Sequence, residues 1–483
     1  MDHAINIDLG SSNLKMTLFG PGGDIVHVLR CVTPLSRPSD GMVTMHPERL
    51  LEAVRGLFAA MVPHCRGEVS AVSVTGMAKS ELPLDGRGEP LYPCITWMDD
   101  RCRDMEERDY SPIAGALQQY PVIANALPFK LEWMRRHEPE ILRKSRVWVN
   151  IVDYLHMRLA GGIGPVTDYT EVCRSMVYDS LKESWNEPVA AFFGVDLGLM
   201  PEVRPSGTVI GRLHPDFGLG GKTAVVLGGH DHMCAAKAAG MRRKGDRPLL
   251  STGTSEVLAF PFEQEGPFRL PPCNLDHQTD RETLALVGCV ARSGDAMRWA
   301  DGLFGLYGRE KNPSLTMRLL ADPAGIPLYV PPYRFSDPKR RGGFSSDAGG
   351  ADKDALCLAV LEGLAHASRA LFETMREAAG TAEGINLVGG FSGMPQLLAL
   401  KAAALGEPIT VYPRIDMPSL GGYLLCRQAL EPSGDMDAAC RDLLARQESF
   451  SIDPDPRLQM ALESRHSAYR ALEHALDAGE DGS

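Results

Sequence analysis

The N-terminal stretch of the chain alternates apolar and polar positions around two glycine-bearing turns. Leu14, Met16 and Leu18 recur at every second residue, as the buried face of a β-strand requires. The turns "GSS" and "GPGG" interrupt this alternation on either side of that strand, so the pattern predicts three antiparallel strands. Farther along, apolar residues from Leu50 to Met61 recur at helical spacing and predict an amphipathic helix.

Two later stretches change from a buried strand to a helix across a glycine pair. They are "TAVVLGGHDHMCAAKAAGM" (223–241) and "INLVGGFSGMPQLLALKAAALG" (385–406). Between them, "LLSTGTSEVLAF" (249–260) repeats the strand–turn–strand pattern of the N-terminus, which indicates a duplicated α/β domain. The tail from about Asp435 onward is rich in Ala, Leu, Glu and Arg, so we predict that it is helical, with the final "AGEDGS" frayed.

The length of the chain also indicates more than one domain. One hydrophobic core serves at most roughly 250–300 residues, and this chain has 483. A basic stretch with Gly and Pro, Arg242–Pro248, separates the two halves of the pattern. We therefore predict one domain at 1–243 and a second at 244–483.

Composition and charge exclude several classes of protein. The net charge of −12 is opposite to the basic surface that nucleic acids and anionic membranes require, so neither is an expected partner. No apolar run reaches the roughly 18 residues of a membrane span, and the N-terminus lacks the pattern of a signal peptide. The 11 cysteines form no C-x-x-C pair, which disfavours a zinc ribbon or a disulfide framework. A cytoplasmic protein fits these features best.

The first glycine turn carries groups that suit a phosphate. In "IDLGSSNLK", Asp8 ends a strand and Lys15 lies on the returning strand. The turn between them offers backbone N–H groups and two hydroxyls to an anion. Asp8 is placed to hold Mg²⁺ through water. A plain β-hairpin turn is the alternative interpretation.

Two other turns repeat this chemistry more weakly. "STGTSE" (251–256) offers a second hydroxyl-rich hairpin, and "LVGGFSGM" (387–394) lets the backbone approach a ligand before a helix begins. Close strand–helix packing explains the latter equally well. The strand–G-x-G-x-x-G–helix unit of dinucleotide-binding proteins is missing, which argues against a nicotinamide-dependent oxidoreductase.

The order of these turns resembles that in the FGGY family of carbohydrate kinases, within the actin-like ATPase superfamily. "DLGSSNLK" looks like its first phosphate hairpin, "STGTSE" like its second and "VGGFSGMPQLLALKAAALGEPI" like its adenosine motif. "SLGGYLL" resembles its second connecting helix, and "WMDDR" its W-x-D-x-R block. "TDYTEVCRSMVYD" resembles another family block, with Val172 and Ser175 where Ala and Thr are common. The resemblance spans about residues 5 to 430.

This resemblance implies two RNase H-like α/β domains with a central cleft, and a small-molecule sugar, ATP and Mg²⁺ as ligands, while a homodimer is left open. The residues implied to bind the nucleotide and its phosphates are Gly10, Ser11, Ser12, Lys15, Gly253, Thr254, Gly294, Gly389, Gly390 and Phe391. The implied sugar contacts are Ala78, Lys79, Trp97, Asp99 and His232. The implied Mg²⁺ ligands are Asp8, through water, and Asp231.

The stretch "GGHDH" (228–232) resembles the G-G-x-D block of the family, in which the aspartate, here Asp231, is the general base. A sugar hydroxyl that attacks a phosphate must lose its proton, and a carboxylate at a helix N-terminus suits that role. A metal site of His230 and His232 is the other interpretation. Because residues i and i+2 of a helix do not face each other, we expect these rings not to converge. His232 then neighbours the sugar, and His230 is structural.

The sugar side departs from the family pattern. The pentulose kinases of the family typically have G-Q-M-H-G at the first sugar block, whereas this chain has "GMAKS", with Lys79 at the His position. Lys79 is either a solvated surface lysine or an inward one, which would need Asp99, Glu81 or an acidic substrate as its partner. We favour a neutral ketose, because a protein carboxylate commonly satisfies a buried lysine.

We therefore expect the chain to phosphorylate a small open-chain sugar with ATP and Mg²⁺, with Asp231 as general base. The expected acceptor is a neutral ketose such as a pentulose, and an alditol or a sugar acid (an aldonate) is the alternative. A non-kinase, actin-like ATPase would use the same nucleotide turns. The W-x-D-x-R block and Asp231 argue against that alternative.

Overall fold

The chain forms two compact units, each assembled from separate segments. The computed structural model describes residues 1–105, 107–117, 122–264, 271, 273–332 and 342–478. The first unit comprises Met1–Gly240, Asn274–Leu284 and Asp416–Ala445, and the second comprises Met241–Cys273, Ala285–Ile415 and Arg446–Ser483. The first break lies close to the boundary predicted after residue 243. Two later segments of the first unit, however, lie in the part of the chain where we predicted the second domain.

The chain contains both strands and helices, in runs of one kind as well as in alternation. The strands are β1 (His3–Leu9), β2 (Asn13–Phe19), β3 (Ile25–Val32), β4 (Leu35–Ser36), β5 (Thr44–Met45), β6 (Val69–Gly76), β7 (Glu81–Leu84), β8 (Cys94–Ile95), β9 (Val147–Asn150), β10 (Val166–Asp168), β11 (Tyr178–Asp179), β12 (Ser184–Trp185), β13 (Glu202–Arg204), β14 (Val209–Arg212), β15 (Ala224–His230), β16 (Leu249–Thr252), β17 (Glu256–Phe262), β18 (Asn274–His277), β19 (Leu284–Val290), β20 (Tyr329–Val330), β21 (Gly343–Phe344), β22 (Ile385–Gly389), β23 (Ile409–Tyr412) and β24 (Phe450–Ile452). The α-helices are α1 (Pro47–Met61), α2 (Leu127–His137), α3 (Pro139–Lys144), α4 (Ile151–Leu159), α5 (Tyr169–Val172), α6 (Glu187–Phe193), α7 (Asp231–Ala238), α8 (Ser293–Phe304), α9 (Leu306–Arg309), α10 (Ser314–Ala321), α11 (Lys353–Ala379), α12 (Pro395–Leu405), α13 (Met417–Leu430), α14 (Met436–Ala445) and α15 (Pro456–Ala478).

The main sheet of the first unit has the strand order β14-β15-β6-β1-β2-β3. Strands β1, β2 and β3 form the antiparallel meander that the apolar alternation predicted, which confirms that prediction. Strand β6 pairs in parallel with both β1 and β15. These parallel strands are buried on both faces, as strands covered by crossover helices are. The carboxyl ends of β1, β6 and β15 consequently meet at one edge of the sheet.

Helix α13 packs on this sheet through a pair of glycines. A side chain at Gly421 would collide with the backbone of Cys234 in α7, and one at Gly422 would collide with Asn6 in β1. Only glycine allows α13 to approach a helix and a strand this closely. The pair therefore brings the N-terminal end of α13, and with it Asp416, next to the first hairpin.

The main sheet of the second unit contains β19, β17, β16, β22, β23 and β24 in that order. Strand β16 pairs antiparallel with β17 and parallel with β22, just as β1 pairs with β2 and β6 in the first unit. The predicted repetition of strand–turn–strand is confirmed, and the structure adds a parallel strand beside it in both units.

Helix α11 runs through the hydrophobic core of the second unit. Among the described residues it is the one helix that is long and apolar enough to cross a membrane, by length and composition alone. However, 72% of its most apolar stretch is buried inside the protein. The helix owes its apolar composition to this packing.

A buried polar network joins β17 to α11 and α12. Lys401 Nζ lies 2.6 Å from Glu256 Oε2, and both side chains are at most 1% exposed. The Ser368 hydroxyl donates a hydrogen bond to the other oxygen of Glu256 and accepts one from Lys401. Since Glu256 directly follows the turn between β16 and β17, the network anchors that turn to two helices.

The C-terminal tail is not helical throughout, contrary to the prediction. Strand β24 lies between α14 and α15 and pairs antiparallel with β23. Phe450 and Ile452 alternate with Ser451 over only a few positions, so a prediction from the composition of the whole tail missed this strand. Residues 479–483, which include most of the predicted frayed end, lie outside the described residues.

Candidate active site

Polar side chains gather where the parallel strands of the first unit end. Asp8 is the penultimate residue of β1, and Asp231 directly follows β15. In sheets of this kind, ligands bind outside the carboxyl ends of the strands. The structure thus brings the two carboxylates predicted from the sequence to the same edge.

The turn between β1 and β2 is the first predicted phosphate hairpin. The Gly10 N–H donates to the Asn13 carbonyl at 3.1 Å, which closes the turn. The Thr33 hydroxyl donates to the Gly10 carbonyl at 2.7 Å and so ties the turn to the end of β3. Ser11 is half-buried and Ser12 is exposed, which leaves this side of the turn open to a ligand.

Lys15 binds two carboxylates beside this turn. Its Nζ lies 3.3 Å from Asp8 Oδ2 and 2.7 Å from Asp416 Oδ2. Burial and the negative charge of Asp416 raise the pKa of Asp8 to about 7, and the ammonium group of Lys15 opposes this shift. Sequence reasoning missed Asp416. It lies 401 residues from Lys15, and its position just before "SLGGYLL" was the only local signal.

A bulge near the end of β15 sets the position of Asp231. The pairing of β15 with β6 changes register there. The imidazole of His156 accepts hydrogen bonds from backbone N–H groups of both strands at this point. His156 Nε2 accepts the N–H of Gly228 at 3.1 Å and that of Val74 at 3.3 Å. Burial lowers the pKa of His156 to about 3, so the ring stays neutral and keeps its acceptor nitrogen. A side chain at Gly228 would collide with the Val74 carbonyl, so the bulge requires glycine.

The block "TDYT" (167–170) holds the same strand end from another side. Asp168 Oδ1 accepts hydrogen bonds from the Thr170 hydroxyl at 2.6 Å and from the Ser206 hydroxyl at 3.0 Å. Thr170 Oγ1 in turn accepts the N–H of His230 at 2.8 Å. Asp168 therefore orients Thr170, and Thr170 fixes the residue that precedes Asp231.

Asp231 itself is the first residue of α7. Its Oδ1 accepts the N–H of His232 at 2.7 Å. Burial raises the pKa of Asp231 to about 7, against the effects of that hydrogen bond and of the positive charge of Arg174. The side chain remains 24% exposed. An accessible carboxylate that exchanges its proton near neutral pH suits a general base.

The two flanking imidazoles converge on Asp231, contrary to the prediction from helical spacing. His230 Nε2 and His232 Nε2 lie 3.3 Å and 3.9 Å from Asp231 Oδ1. His230 is still the last residue of β15, so the geometry of a helix does not apply to this pair. One ligand atom from each of the three residues lies within 4.8 Å of the others, a spacing that would allow them to hold a metal ion.

Most of the predicted sugar contacts lie near this edge. Ala78 is buried two residues after the end of β6, and Lys79 is half-buried, which excludes the interpretation of Lys79 as a fully solvated lysine. The positive charge of Lys79 acts on His230, whose pKa is lowered mainly by burial. The indole N–H of Trp97 donates to the Ser11 hydroxyl at 3.1 Å. Trp97 thus connects the sugar block to the phosphate hairpin.

Asp99 has structural contacts where we predicted a sugar contact. Its Oδ2 accepts the N–H of Val43 at 2.7 Å, and its two oxygens accept hydrogen bonds from Arg101 at 2.7 Å and 2.9 Å. Since these contacts occupy both oxygens of a buried carboxylate, we correct the prediction. Asp99 positions the W-x-D-x-R block through these contacts.

In the second unit, the second hairpin lies against the start of α8. The Gly294 N–H donates to the Thr254 carbonyl at 3.0 Å. A side chain at Gly294 would collide with the Gly253 carbonyl. This close approach brings three of the predicted nucleotide residues together.

The remaining nucleotide residues adjoin the same strand ends. Strands β16 and β22 end side by side at Thr252 and Gly389. Gly389 has a φ of +98°, and a side chain there would collide with the Thr252 carbonyl. The Phe391 N–H donates to the Thr252 hydroxyl at 3.0 Å, while Gly389 and Gly390 stay exposed. The exposed glycines leave backbone accessible for a flat or charged ligand.

Comparison with known proteins gives consistent matches along the whole chain. Residues 3–237 match the N-terminal domain of the FGGY family of carbohydrate kinases, and residues 249–430 match its C-terminal domain. The xylulose kinase of Escherichia coli (strain K12) is 25% identical, over 98% of this chain and 99% of that protein.

Solved structures show the same fold. A xyloylose kinase from Brucella ovis has a TM-score of 0.86 and 25% identity, over 99% of each chain. A gluconate kinase from Lactobacillus acidophilus has a TM-score of 0.85 and 20% identity, over 98% of each chain. The two family models match more than half of this chain in the order expected. The chain therefore belongs to the FGGY family of carbohydrate kinases, has the actin-like ATPase fold and is an ATP-dependent sugar kinase.

Proposed function

We propose that this kinase phosphorylates a hydroxyl of a small, neutral, open-chain ketose or related polyol, with Asp231 as general base. The observation that carries the proposal is the accessible Asp231 carboxylate at the start of α7, whose pKa burial raises to about 7. The E. coli relative is named a xylulose kinase, which supports a pentulose as the acceptor.

Asp231 accepts the proton of the acceptor hydroxyl as that hydroxyl attacks the phosphate. A base whose pKa is near the working pH both takes up and releases the proton readily. His232 lies beside Asp231 with a partly exposed ring and is a contact for the sugar. Lys79 donates hydrogen bonds to sugar hydroxyls, and Trp97 offers an apolar ring face to the C–H side of the sugar. Ala78 completes this side of the site.

The hairpin Gly10–Ser12 and Lys15 bind the phosphates of ATP. Asp8 fits a role in Mg²⁺ binding, because carboxylate oxygens and water are the ligands that Mg²⁺ prefers. Burial and the charges of Asp416 and Asp231 raise the pKa of Asp8, and a divalent cation would relieve this repulsion. We infer that Asp8, through water, and Asp231 hold the ion, which supplies neutralisation of the phosphate charge. In the second unit, the nucleotide residues are Gly253, Thr254, Gly294, Gly389, Gly390 and Phe391.

A panel of neutral ketoses, alditols and aldonates tests the proposal directly. ADP release with each acceptor measures kcat/KM, and we expect the highest value for a neutral ketose. ATP turnover that no acceptor stimulates would contradict the assignment of Asp231 as a base for sugars. If kcat/KM is instead highest for an aldonate, the acceptor is a sugar acid and not a neutral sugar.

Lys15→Ala tests the phosphate hairpin. The variant should lose about 10- to 100-fold in kcat/KM for ATP, because a hydrogen bond from a charged donor is worth roughly 1.5–3 kcal/mol. Arg30→Ala is the matched control, since Arg30 pairs with Lys15 across the β2–β3 ladder but is exposed. A Lys15→Ala variant in which only the KM for the sugar changes would show that the hairpin serves the acceptor.

A further inference from the structure

The segment 274–284 adds a buried carboxylate to the first unit. Asp276 lies on β18, and its Oδ2 is 3.0 Å from Arg174 Nε, with side-chain exposures of 0% and 7%. The neighbours of Asp276 fix its position as well. The Ser180 hydroxyl donates to the carbonyl of Leu275 at 2.9 Å, and the N–H of His277 donates to Cys173 Sγ at 3.3 Å. Sequence reasoning assigned no role to Asp276 or Arg174.

Arg174 lies near the proposed general base. It follows α5, whose Thr170 holds the backbone of His230. Its positive charge is close enough to oppose the burial that raises the pKa of Asp231. Asp276 therefore holds, through an ion pair, a cation that lies near the proposed general base.

Lys79 belongs to the same group of charges. Burial raises the pKa of Asp276 to about 6, and the positive charges of Arg174 and Lys79 oppose that shift. The two carboxylates that we predicted as partners of Lys79 already have a cation, because Lys130 binds Glu81 and Arg101 binds Asp99. Asp276 is a carboxylate that the sequence did not offer as a partner, since it lies almost two hundred residues away.

The backbone of Lys79 is held in an unfavourable conformation. Its φ of +52° lies in the left-handed region, which non-glycine residues adopt at a cost of about 1–3 kcal/mol when the surroundings enforce it. The buried Lys130 enforces it here, because its Nζ donates to the Lys79 carbonyl at 2.6 Å as well as to Glu81 and to the Ile95 carbonyl. The orientation of Lys79 is therefore built into the fold.

The formal charges of the four side chains that act on one another here cancel. Lys79 and Arg174 contribute two cations, and Asp276 and Asp231 contribute two carboxylates. Neither carboxylate oxygen of Asp276 accepts a hydrogen bond from any described residue, so its negative charge is balanced through the ion pair with Arg174 and the nearby charge of Lys79. A carboxylate on the substrate would add an uncompensated charge to this enclosed group, which is unfavourable.

We propose that Asp276 is a specificity-determining positioning residue, which pairs with Arg174 and offsets the positive charge of Lys79, so that the kinase selects uncharged polyhydroxy acceptors over sugar acids. This inference rests on the proposed function. It goes further by naming the residue that excludes one of the two acceptor classes.

Asp276→Asn removes one negative charge with little change of shape. With D-xylulose and D-gluconate as probes, the ratio of their kcat/KM values should shift toward gluconate by about tenfold or more. Asp280→Asn is the control on the same segment, because Asp280 only caps the turn to Thr283, and it should leave the ratio unchanged. An unchanged ratio in a folded Asp276→Asn variant overturns the inference, as does a wild-type enzyme that prefers gluconate.

Lys79→Met provides the opposite change of charge and serves if Asp276→Asn does not fold. It should shift the ratio away from gluconate, and the double variant should return it toward that of the wild type. A Lys79→Met variant with the wild-type ratio overturns the inference. If the wild type phosphorylates neither probe nor any other neutral polyol, the proposed function fails, and this inference fails with it. If the wild type phosphorylates xylulose but the variants leave the ratio unchanged, only this inference fails.

Discussion

The Asp231→Asn variant should lose about 10²–10⁴-fold in kcat, which is the usual contribution of a positioned general base. The amide has the shape of the carboxylate and still accepts the N–H of His232, but it cannot take up a proton. The fold and the affinity for ATP should therefore stay intact. Calorimetry with a non-hydrolysable ATP analogue measures the affinity, and steady-state kinetics with saturating sugar measures kcat.

The pH profile separates a base from a residue that only shapes the site. Because the pKa of Asp231 is about 7, the carboxyl group is protonated and inactive below that pH. The kcat/KM of the wild type should thus fall steeply below pH 7, whereas the residual activity of Asp231→Asn should fall less steeply, since Asp8 then titrates in this range but the amide does not. Asp216→Asn is a suitable control, since Asp216 also adjoins a histidine, His214, but is well exposed. Near wild-type turnover in Asp231→Asn would refute the assignment.

Replacing Lys401 by methionine should have the largest effect on stability. The change leaves Glu256 as an uncompensated charge in the core of the second unit, which typically costs about 3–5 kcal/mol of unfolding free energy. Denaturation with guanidinium chloride measures this loss. Breaking an exposed pair such as Arg143 with Glu140 should cost at most about 1 kcal/mol by the same method.

A double variant distinguishes an unpaired charge from lost packing. Lys401→Met combined with Glu256→Gln removes both charges, so it should recover much of the stability that Lys401→Met loses. If the double variant is instead as unstable as the sum of the two single variants, packing of the lysine stem explains the loss. A Lys401→Met variant within about 1 kcal/mol of the wild type would show that this network contributes little.

The strand ends and turns of the candidate site could be predicted from the sequence wherever local order determines them. The positions of Asp8 and Asp231 were predictable because each lies at the end of a clear run of buried strand residues, and parallel strands bring such ends together. The glycine turns were found because few other residues allow so close an approach of backbones. Local periodicity and turn chemistry were sufficient for these parts.

The rest depended on contacts between residues far apart in the chain. Neither Asp416, which binds Lys15, nor Asp276, which binds Arg174, carries a local pattern that names its partner. The convergence of His230 and His232 was mispredicted, because the exact residue at which β15 ends and α7 begins decides where both rings point. Such boundaries are set by packing, which periodicity does not resolve.

The composition of the first unit from three segments has a consequence for synthesis on the ribosome. Helix α13 covers β1 and β6, with Gly422 against Asn6 and Ser73, yet it is translated long after those strands. A nascent chain that has reached only Gly240 lacks this cover, and its buried polar groups at Asn6 and Ser73 remain open to water. The first unit thus cannot finish folding before Ala445 has been added, and until then the growing chain presents an incomplete core to chaperones and proteases.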